Sequence, residues 1–275
     1  IEGDAGKLED LEKVGPVDVV LHLAGTSSAP MFQGEGLIEG YLNSVRSFLT
    51  TLEWARKHGT KKFLYASTSS LYGNNPLPLT EDQTVIPPNH YAVTKQIYEN
   101  CSRAYGKQYP EMDIIGFRFM SVYGPNEEAK GKFANVISQF AWDMARGLCP
   151  VIYGDGTQTR DFTNVRDVVQ GITLAIDSDQ RLGAEVFNIG TGRATSLNEI
   201  VQALQKAFGK DILPQYIANP VGSDYIQGQA ADISKIRRIL GYEPKVKLEE
   251  GIEEQVKNLR MDWIRETSSD EYRRP

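Results

Sequence analysis

The stretch VDVVLHLAG, Val17 to Gly25, is an almost unbroken apolar run that a glycine closes. A strand that is apolar on both faces must be covered on both faces, which is typical of a parallel sheet. The segment after it predicts an amphipathic helix that ends near Gly59. Its apolar residues recur at steps of four and three: Ile38, Leu42, Val45, Leu49 and Leu52.

Strands and helices then alternate along the chain. KKFLYAS predicts the next strand, a helix is predicted from Asn89 to Tyr105, and DIIGFRFMSV predicts a strand over 113–122. Alternation in this order predicts an α/β fold with right-handed crossovers and a parallel sheet.

Beyond Gly124 the pattern becomes mixed and predicts a smaller α/β lobe interleaved with the first. Predicted here are helices near 133–147 and 165–178, a strand near 185–190 that returns to the sheet, a capping box at Ser196 to Glu199 that opens a helix, and helical segments in ADISKIRRILG and LEEGIEEQVKNL. We therefore expect a first domain over 1–122, a substrate-binding lobe over 123–265 and a disordered tail over 266–275.

Composition excludes several classes of protein. The 275 residues carry a net charge of −6 with no basic stripe, so nucleic acid is not an expected partner. Three histidines and two cysteines show no ligand spacing, so no metal site is expected; Cys101 and Cys149 are expected to be buried, free thiols. No apolar run reaches membrane-spanning length, which predicts a cytoplasmic protein with no membrane contact.

The carboxyl end of the second strand carries four hydroxyl side chains, Ser67 to Ser70. Ligands of parallel α/β sheets bind beyond the carboxyl ends of the strands. YAVTK follows, with Tyr91 and Lys95 four apart on one helical face. An ammonium near a phenol favours phenolate and lowers its pKa from about 10, while Thr68 could bond the same substrate hydroxyl. The alternatives are a solvated helix face and a capped strand end.

Taken in order, the motifs resemble the extended short-chain dehydrogenase/reductase superfamily, in particular its NAD-dependent nucleotide-sugar epimerase and dehydratase branch. The resemblance runs from Gly3 to about Leu259. It rests on LHLAG, YASTSSLYG, YAVTK, FRFMSVYGP, YGDGTQTRDF, VFNIGTG and ADISKIRRILGYEPKVKLEEGI. It implies a Rossmann-like parallel sheet with a substrate-binding lobe, NAD as cofactor and a nucleotide-diphosphate sugar as substrate.

The same resemblance implies a role for individual residues. Tyr91 would be the catalytic base and acid, with Lys95 and Thr68 as its partners. The cofactor would contact Tyr91 and Lys95 together with Asp4, Ala5, Leu23, Ala24, Gly25, Thr26, Asn43 and Met120. The substrate would contact Thr68, Ser69, Ser121, Asn135, Val136, Tyr153 and Arg160, the last as a clamp on the diphosphate.

Four of these residues have structural alternatives. Arg160 could form a surface ion pair with Asp161 or Asp167. Asn43 could hold a turn, Asp4 could cap a loop, and Tyr153 could pack in the core.

The positions after Thr68 indicate which reaction to expect. Family members that eliminate water or couple oxidation to decarboxylation usually place an acidic residue there, whereas this chain has Ser69 and Ser70. Without that carboxyl group, oxidation and re-reduction at one carbon fits better, as in the UDP-sugar 4-epimerases acting on UDP-glucose or UDP-glucuronate. The alternatives are a nucleotide-sugar dehydratase or reductase, or a non-catalytic nucleotide-binding relative.

The sequence departs from the family pattern at three places. It contains no GxxGxxG turn to approach the pyrophosphate. The alternatives are a truncated chain and a natural remnant that has lost the cofactor site. We expect the first, with an exposed edge at VDVVLHLAG and weak NAD binding of its own. Ser121 replaces a common Asn, and NPVGSDY, Asn219 to Tyr225, lacks a common arginine. The resemblance also implies a homodimer through helices at 37–58 and 89–105.

Overall fold

A computed structural model describes residues 1–32, 36–220 and 225–273. Its helices are α1 Leu8–Leu11, α2 Leu37–Lys57, α3 His90–Gln108, α4 Val136–Ala145, α5 Val165–Asp177, α6 Leu197–Phe208, α7 Ser234–Leu240, α8 Leu248–Lys257 and α9 Met261–Glu266. Its strands are β1 Val19–His22, β2 Lys62–Thr68, β3 Asp113–Phe119, β4 Ser121–Tyr123, β5 Val151–Tyr153, β6 Thr159–Arg160, β7 Phe162–Asn164, β8 Ala184–Ile189, β9 Thr195–Ser196 and β10 Gln215–Ile217.

The main sheet has the order β1-β2-β3-β8, and every neighbouring pair is parallel. This confirms the predicted α/β fold with a parallel sheet flanked by helices. The core of the sheet is made of buried strand residues such as Leu64, Ile115, Phe117 and Phe187. Strands apolar on both faces need this two-sided cover.

The predicted strand over 113–122 is wrong in one respect, because it breaks at Met120. The Met120 amide donates to Ile189 O at 3.0 Å, at the end of β8. The next amide, of Ser121, donates to Asp161 O at 2.9 Å, and β4 pairs with β7. The chain therefore leaves the main sheet beside Met120, and the division into lobes at residue 122, inside β4, stays a proposal.

A second hydrophobic cluster joins α4, α6 and α8, with Phe140, Ile200 and Leu204 at its centre. The capping box at the start of α6 is confirmed, since the Ser196 and Glu199 side chains each accept from the other residue's backbone amide. This cluster supports the small strands that present Tyr153 and Arg160.

Helix α2 buries only part of the predicted apolar stripe. Phe48, Leu52 and Trp54 are buried, whereas Ile38 and Leu42 are 69% and 57% exposed. The buried contacts follow from packing on α3, where the Phe48 ring stacks on that of Tyr98 at 4.1 Å. Apolar periodicity identifies a helix but not which part of its stripe meets its own chain.

The expected disorder of the tail is contradicted as far as residue 273. Tyr272 is fully buried, its ring packs 5.2 Å from that of Trp142, and its hydroxyl donates to Asp143 at 2.9 Å. One buried aromatic side chain contributes enough apolar area to order a polar segment.

The expectation of two buried thiols is also wrong, because Cys149 is exposed and Cys101 is half-buried, although both are free.

Candidate active site

The hydroxyl cluster lies where β2 ends, and its geometry is that of a capped turn. Thr68 Oγ1 accepts from the Ser70 amide at 3.1 Å and opens a short 3₁₀ helix, Ser69–Tyr72. Thr68 and Ser69 are each only 6% exposed, and Gln229 donates to Ser69 Oγ at 3.3 Å. The cap and a catalytic role are compatible, because the Thr68 hydroxyl proton is not used in the cap.

Helix α3 brings Tyr91 to this hydroxyl. Asn89 caps the helix by accepting from the Ala92 amide at 2.9 Å, which sets Tyr91 in the first turn. Tyr91 is 8% exposed, and the Thr68 side chain lies near enough to its phenol to act on its pKa. Thr68 and Tyr91 therefore meet at the carboxyl end of the parallel sheet.

Lys95 lies one turn along the same helix and is 4% exposed. Its Nζ is 5.8 Å from the centre of the Tyr91 ring and 4.6 Å from that of Tyr98. Burial lowers the pKa of Lys95 to about 8. Within the described ranges no carboxylate pairs with it, so a buried cation is left available to a ligand.

The expected lowering of the Tyr91 pKa by Lys95 is contradicted. Burial raises the pKa of Tyr91, and the smaller opposing effect comes from the Thr68 side chain. The reason is desolvation, which disfavours the phenolate more than the nearby Thr68 favours it.

The turn after β1 contains four of the residues expected at the cofactor. Leu23, Ala24 and Gly25 are exposed and Thr26 is half-buried. Gly25 has φ +109°, a conformation that favours glycine. The turn therefore presents bare backbone and the Leu23 side chain to solvent beside α3.

Asn43 makes its observed contact within α2, so its contact with a cofactor stays a proposal. It is exposed and accepts from Arg46 Nη2 at 3.0 Å. Ser44 is buried instead, and its Oγ accepts from the Thr26 amide at 3.4 Å. Sequence analysis missed Ser44 because neighbouring helix positions differ by about 100° in direction.

Asp4 and Ala5 form a local turn that lies beside the middle of α2. Asp4 Oδ1 accepts from the Gly6 amide at 2.7 Å, and Ala5 O accepts from the Thr51 hydroxyl at 3.2 Å. The loop-capping alternative for Asp4 describes its observed contacts. Both residues are half-buried, so their contact with a cofactor stays a proposal.

Met120 and Ser121 lie where the chain leaves the sheet. Met120 is 4% exposed, and Ser121 Oγ accepts from Asn135 Nδ2 at 3.0 Å. Asn135 also donates to Val122 O at 2.8 Å and accepts from the Ile137 amide at 3.0 Å. Its side chain is therefore occupied in orienting Ser121 and capping α4, which begins at the half-buried Val136.

Arg160 forms an ion pair with neither Asp161 nor Asp167. Asp161 accepts backbone amides of Thr191, Gly192 and Ala231, and Asp167 accepts those of Lys245 and Val246. Arg160 instead donates to Thr159 O at 2.8 Å and lies 5.4 Å from the centre of the Tyr225 ring.

Burial lowers the pKa of Arg160, and no described carboxylate pairs with it. The Tyr153 ring lies 6.5 Å from the Tyr225 ring, so both tyrosines are near this guanidinium. The two rings and the cation thus lie together in the small lobe. Of the segment Asn219 to Tyr225, residues 221–224 lie outside the described part.

The observed residues fit the nicotinamide and ribose end of NAD. The buried Lys95 ammonium has no acidic partner in the described part, which suits ribose hydroxyls, and the exposed turn at Gly25 lets backbone approach a ligand. Within the described ranges no three His, Cys, Asp or Glu residues are placed to hold a metal ion. No described helix combines the length and apolarity needed to span a bilayer.

Comparison with known proteins agrees with this geometry. The model of the NAD dependent epimerase/dehydratase family matches residues 1–190. The chain belongs to this family. A Bacillus subtilis member described as an uncharacterized UDP-glucose epimerase is 31% identical over 247 residues, covering 88% of this chain and 74% of its own.

Solved structures of family members share the fold. UDP-glucose 4-epimerase of Thermotoga maritima, with UDP-glucose, superposes with a TM-score of 0.87 at 31% identity, over 95% of this chain and 84% of that one. UDP-glucuronic acid 4-epimerase of Bacillus cereus, with UDP-glucuronic acid and NAD, has a TM-score of 0.79 at 30% identity, over 94% and 78% of the two chains.

Proposed function

We propose that this protein is an NAD-dependent UDP-sugar 4-epimerase. The observation that carries the proposal is the meeting of Thr68, Tyr91 and Lys95 at the carboxyl end of the parallel sheet. The named relatives that are UDP-sugar 4-epimerases support the substrate class.

Tyr91 and its two partners perform the proton transfer. Bound NAD supplies a reversible hydride acceptor for C4 of the sugar. Tyr91 Oη takes the proton of the 4-hydroxyl, and Thr68 holds that hydroxyl through a second hydrogen bond. Lys95, charged below its pKa of about 8, is proposed to bind the ribose beside Tyr91. Tyr91 returns the proton when the 4-keto sugar is reduced on its other face.

The residues after Thr68 favour epimerisation over elimination. Ser69 and Ser70 provide hydroxyls where an acid would be needed to protonate a leaving hydroxyl. Ser69 is buried and Ser121 half-buried, so both are proposed to contact the sugar. Asn135 acts through Ser121, which it orients.

Arg160 is proposed to bind the diphosphate of the substrate. A half-buried guanidinium without an acidic partner gains an ion pair when a phosphate arrives. Tyr153, whose ring lies near that of Tyr225, is proposed to flank the nucleotide, and Val136 to line the lobe at the start of α4.

We also propose a homodimer in the cytoplasm. Ile38 and Leu42 form an exposed apolar strip on α2, next to α3, and a second copy of the same strip would cover it. Free thiols at Cys101 and Cys149 suit a reducing compartment.

Mass spectrometry of the UDP-sugar after incubation with enzyme and NAD tests the reaction class. We expect a product of unchanged mass and no accumulation of reduced cofactor. A product lighter by water or carbon dioxide, or net oxidation of a reduced cofactor, would identify a dehydratase, decarboxylase or reductase instead. Nucleotide-sugar binding without turnover would support the non-catalytic alternative.

A further inference from the structure

Ser67, Glu99 and Arg118 form a buried cluster next to the candidate catalytic residues. The Ser67 hydroxyl donates to Glu99 Oε1 at 2.6 Å. Arg118 donates from Nε to Oε1 at 2.9 Å and from Nη2 to Oε2 at 2.8 Å, which is a bidentate pair. None of the three is more than 3% exposed.

Two strands and α3 carry the cluster, and a third strand lies beside it at the same level of the sheet. Ser67 of β2 pairs with Arg118 of β3, which pairs with Asn188 of β8. The Arg118 guanidinium lies 4.8 Å from the centre of the Tyr72 ring, and Tyr72 donates to Asn188 Oδ1 at 2.7 Å. The next level toward the carboxyl ends begins with Thr68.

Glu99 connects this level to the catalytic helix. It lies four residues after Lys95 and eight after Tyr91, on the same face of α3. The Glu99 carboxylate is turned to Arg118 and Ser67, so it does not neutralise Lys95. One side chain thus fixes the helix against both strands and leaves the Lys95 charge free.

A buried ion pair is weak evidence for a stabilising role, because desolvation of both charges offsets their attraction. What bidentate geometry provides is a defined distance and angle. Catalytic groups need such definition, since misplacement by about 1 Å can cost about 100-fold in rate.

We propose that the Glu99–Arg118 pair is a positioning device, which sets α3 with Tyr91 and Lys95 at a defined height over the strand ends that carry Thr68 and Met120. This inference rests on the proposed epimerase function. Glu99 and Arg118 act through other residues and contact no reacting atom.

A triple variant, Ser67→Ala with Glu99→Leu and Arg118→Met, tests the proposal because it removes both charges together with the Ser67 hydroxyl. Besides the cluster's own bonds it removes the 3.4 Å bond from Arg118 to Glu81 O. The matched control is Arg237→Met with Glu243→Gln, which removes an exposed bidentate pair at the end of α7. The two bonds of this pair, from Arg237 to Glu243, are 2.6 and 2.9 Å long. We expect the triple variant to unfold cooperatively but to lose kcat about 100-fold, with KM for the UDP-sugar changed less than about threefold. A folded triple variant with kcat within about twofold of wild type would overturn the proposal.

If the triple variant does not fold, Arg118→Lys tests the proposal instead. This variant keeps the positive charge but loses the bidentate geometry of the guanidinium. A kcat loss of about 10-fold at unchanged KM supports positioning, and unchanged kcat overturns it. If the wild-type enzyme turns over no UDP-sugar, the proposed function fails, and crystal structures then decide this inference. A Thr68–Tyr91 hydroxyl separation longer by about 0.5 Å or more in whichever variant folds supports it, and an unchanged separation overturns it.

Discussion

The Lys95 ammonium lies 4.6 Å from the centre of the Tyr98 ring. Tyr98 is itself held firmly, because its hydroxyl donates to Ser44 O at 2.8 Å and its ring stacks on Phe48. An aromatic face attracts the cation without neutralising it. The charge therefore remains available to a ligand.

Lys95→Met is expected to abolish turnover and to stabilise the fold. The pKa of Lys95 falls from 10.5 to about 8 on burial, so below pH 8 the folded state carries the full cost of the charge. Between about pH 8 and 10.5 the unfolded chain holds a proton that the folded chain has lost, so wild-type stability rises with pH. At pH 7 the variant should gain about 1–3 kcal/mol in the free energy of unfolding, measured by urea denaturation.

Lys107→Met, at an exposed position near the end of α3, is the matched control. It should leave both turnover and the pH dependence of stability as in the wild type. A Lys95→Met protein less stable than wild type at pH 7 would show that the cation contributes more through Tyr98 than it costs.

Tyr91→Phe is expected to reduce kcat about 1,000-fold, since a positioned acid–base group contributes about 100- to 10,000-fold. Loss of one hydroxyl at a site 8% exposed should leave the fold intact. The control is Tyr109→Phe, just beyond the other end of the same helix. Steady-state kinetics with a UDP-sugar measure the effect, and retention of more than about a tenth of wild-type kcat would remove Tyr91 from the proposed role.

His22 is expected to make the protein acid-sensitive. Burial, and next the nearby charge of Lys95, lower the pKa of His22 from 6.5 to about 4. As pH falls from about 6.5 to 4 the unfolded chain gains a proton that the folded chain does not, so stability falls, by up to about 3 kcal/mol. Chemical denaturation at several pH values should show a smaller decline for His22→Leu. If the free energy of unfolding declined equally with falling pH in His22→Leu and in the wild type, this account would be contradicted.

Ile38→Glu combined with Leu42→Glu is expected to dissociate the proposed dimer. Both side chains are exposed in the monomer, so their replacement should cost little folding stability, whereas two charges in an apolar interface repel the partner. Sedimentation velocity should report monomers, while Ile86→Glu, at an isoleucine 81% exposed elsewhere, should stay dimeric. A monomeric wild-type protein would refute the dimer.

The order of elements could be predicted from sequence because apolar periodicity is a local property. β2 and α3 were expected within a few residues of their observed bounds. The break at Met120 could not be predicted, because it depends on backbone partners at Asp161 and Ile189, far along the chain.

The candidate site was predictable where spacing alone carries the chemistry, as for Thr68, Tyr91 and Lys95. The site was not predictable where the direction of a side chain or its burial determines what the residue does. A shift of one position on α2 separates the exposed Asn43 from the buried Ser44, and the raised pKa of Tyr91 arises from burial, which is a property of the whole fold.

The most direct test is proton NMR of UDP-glucose and of UDP-glucuronate, each incubated with the purified protein and NAD. The account predicts a second anomeric signal in one of the samples, rising to a constant ratio with no reduced cofactor accumulating. Unchanged spectra in both, from protein shown to be folded and to bind the sugar nucleotide, would contradict it.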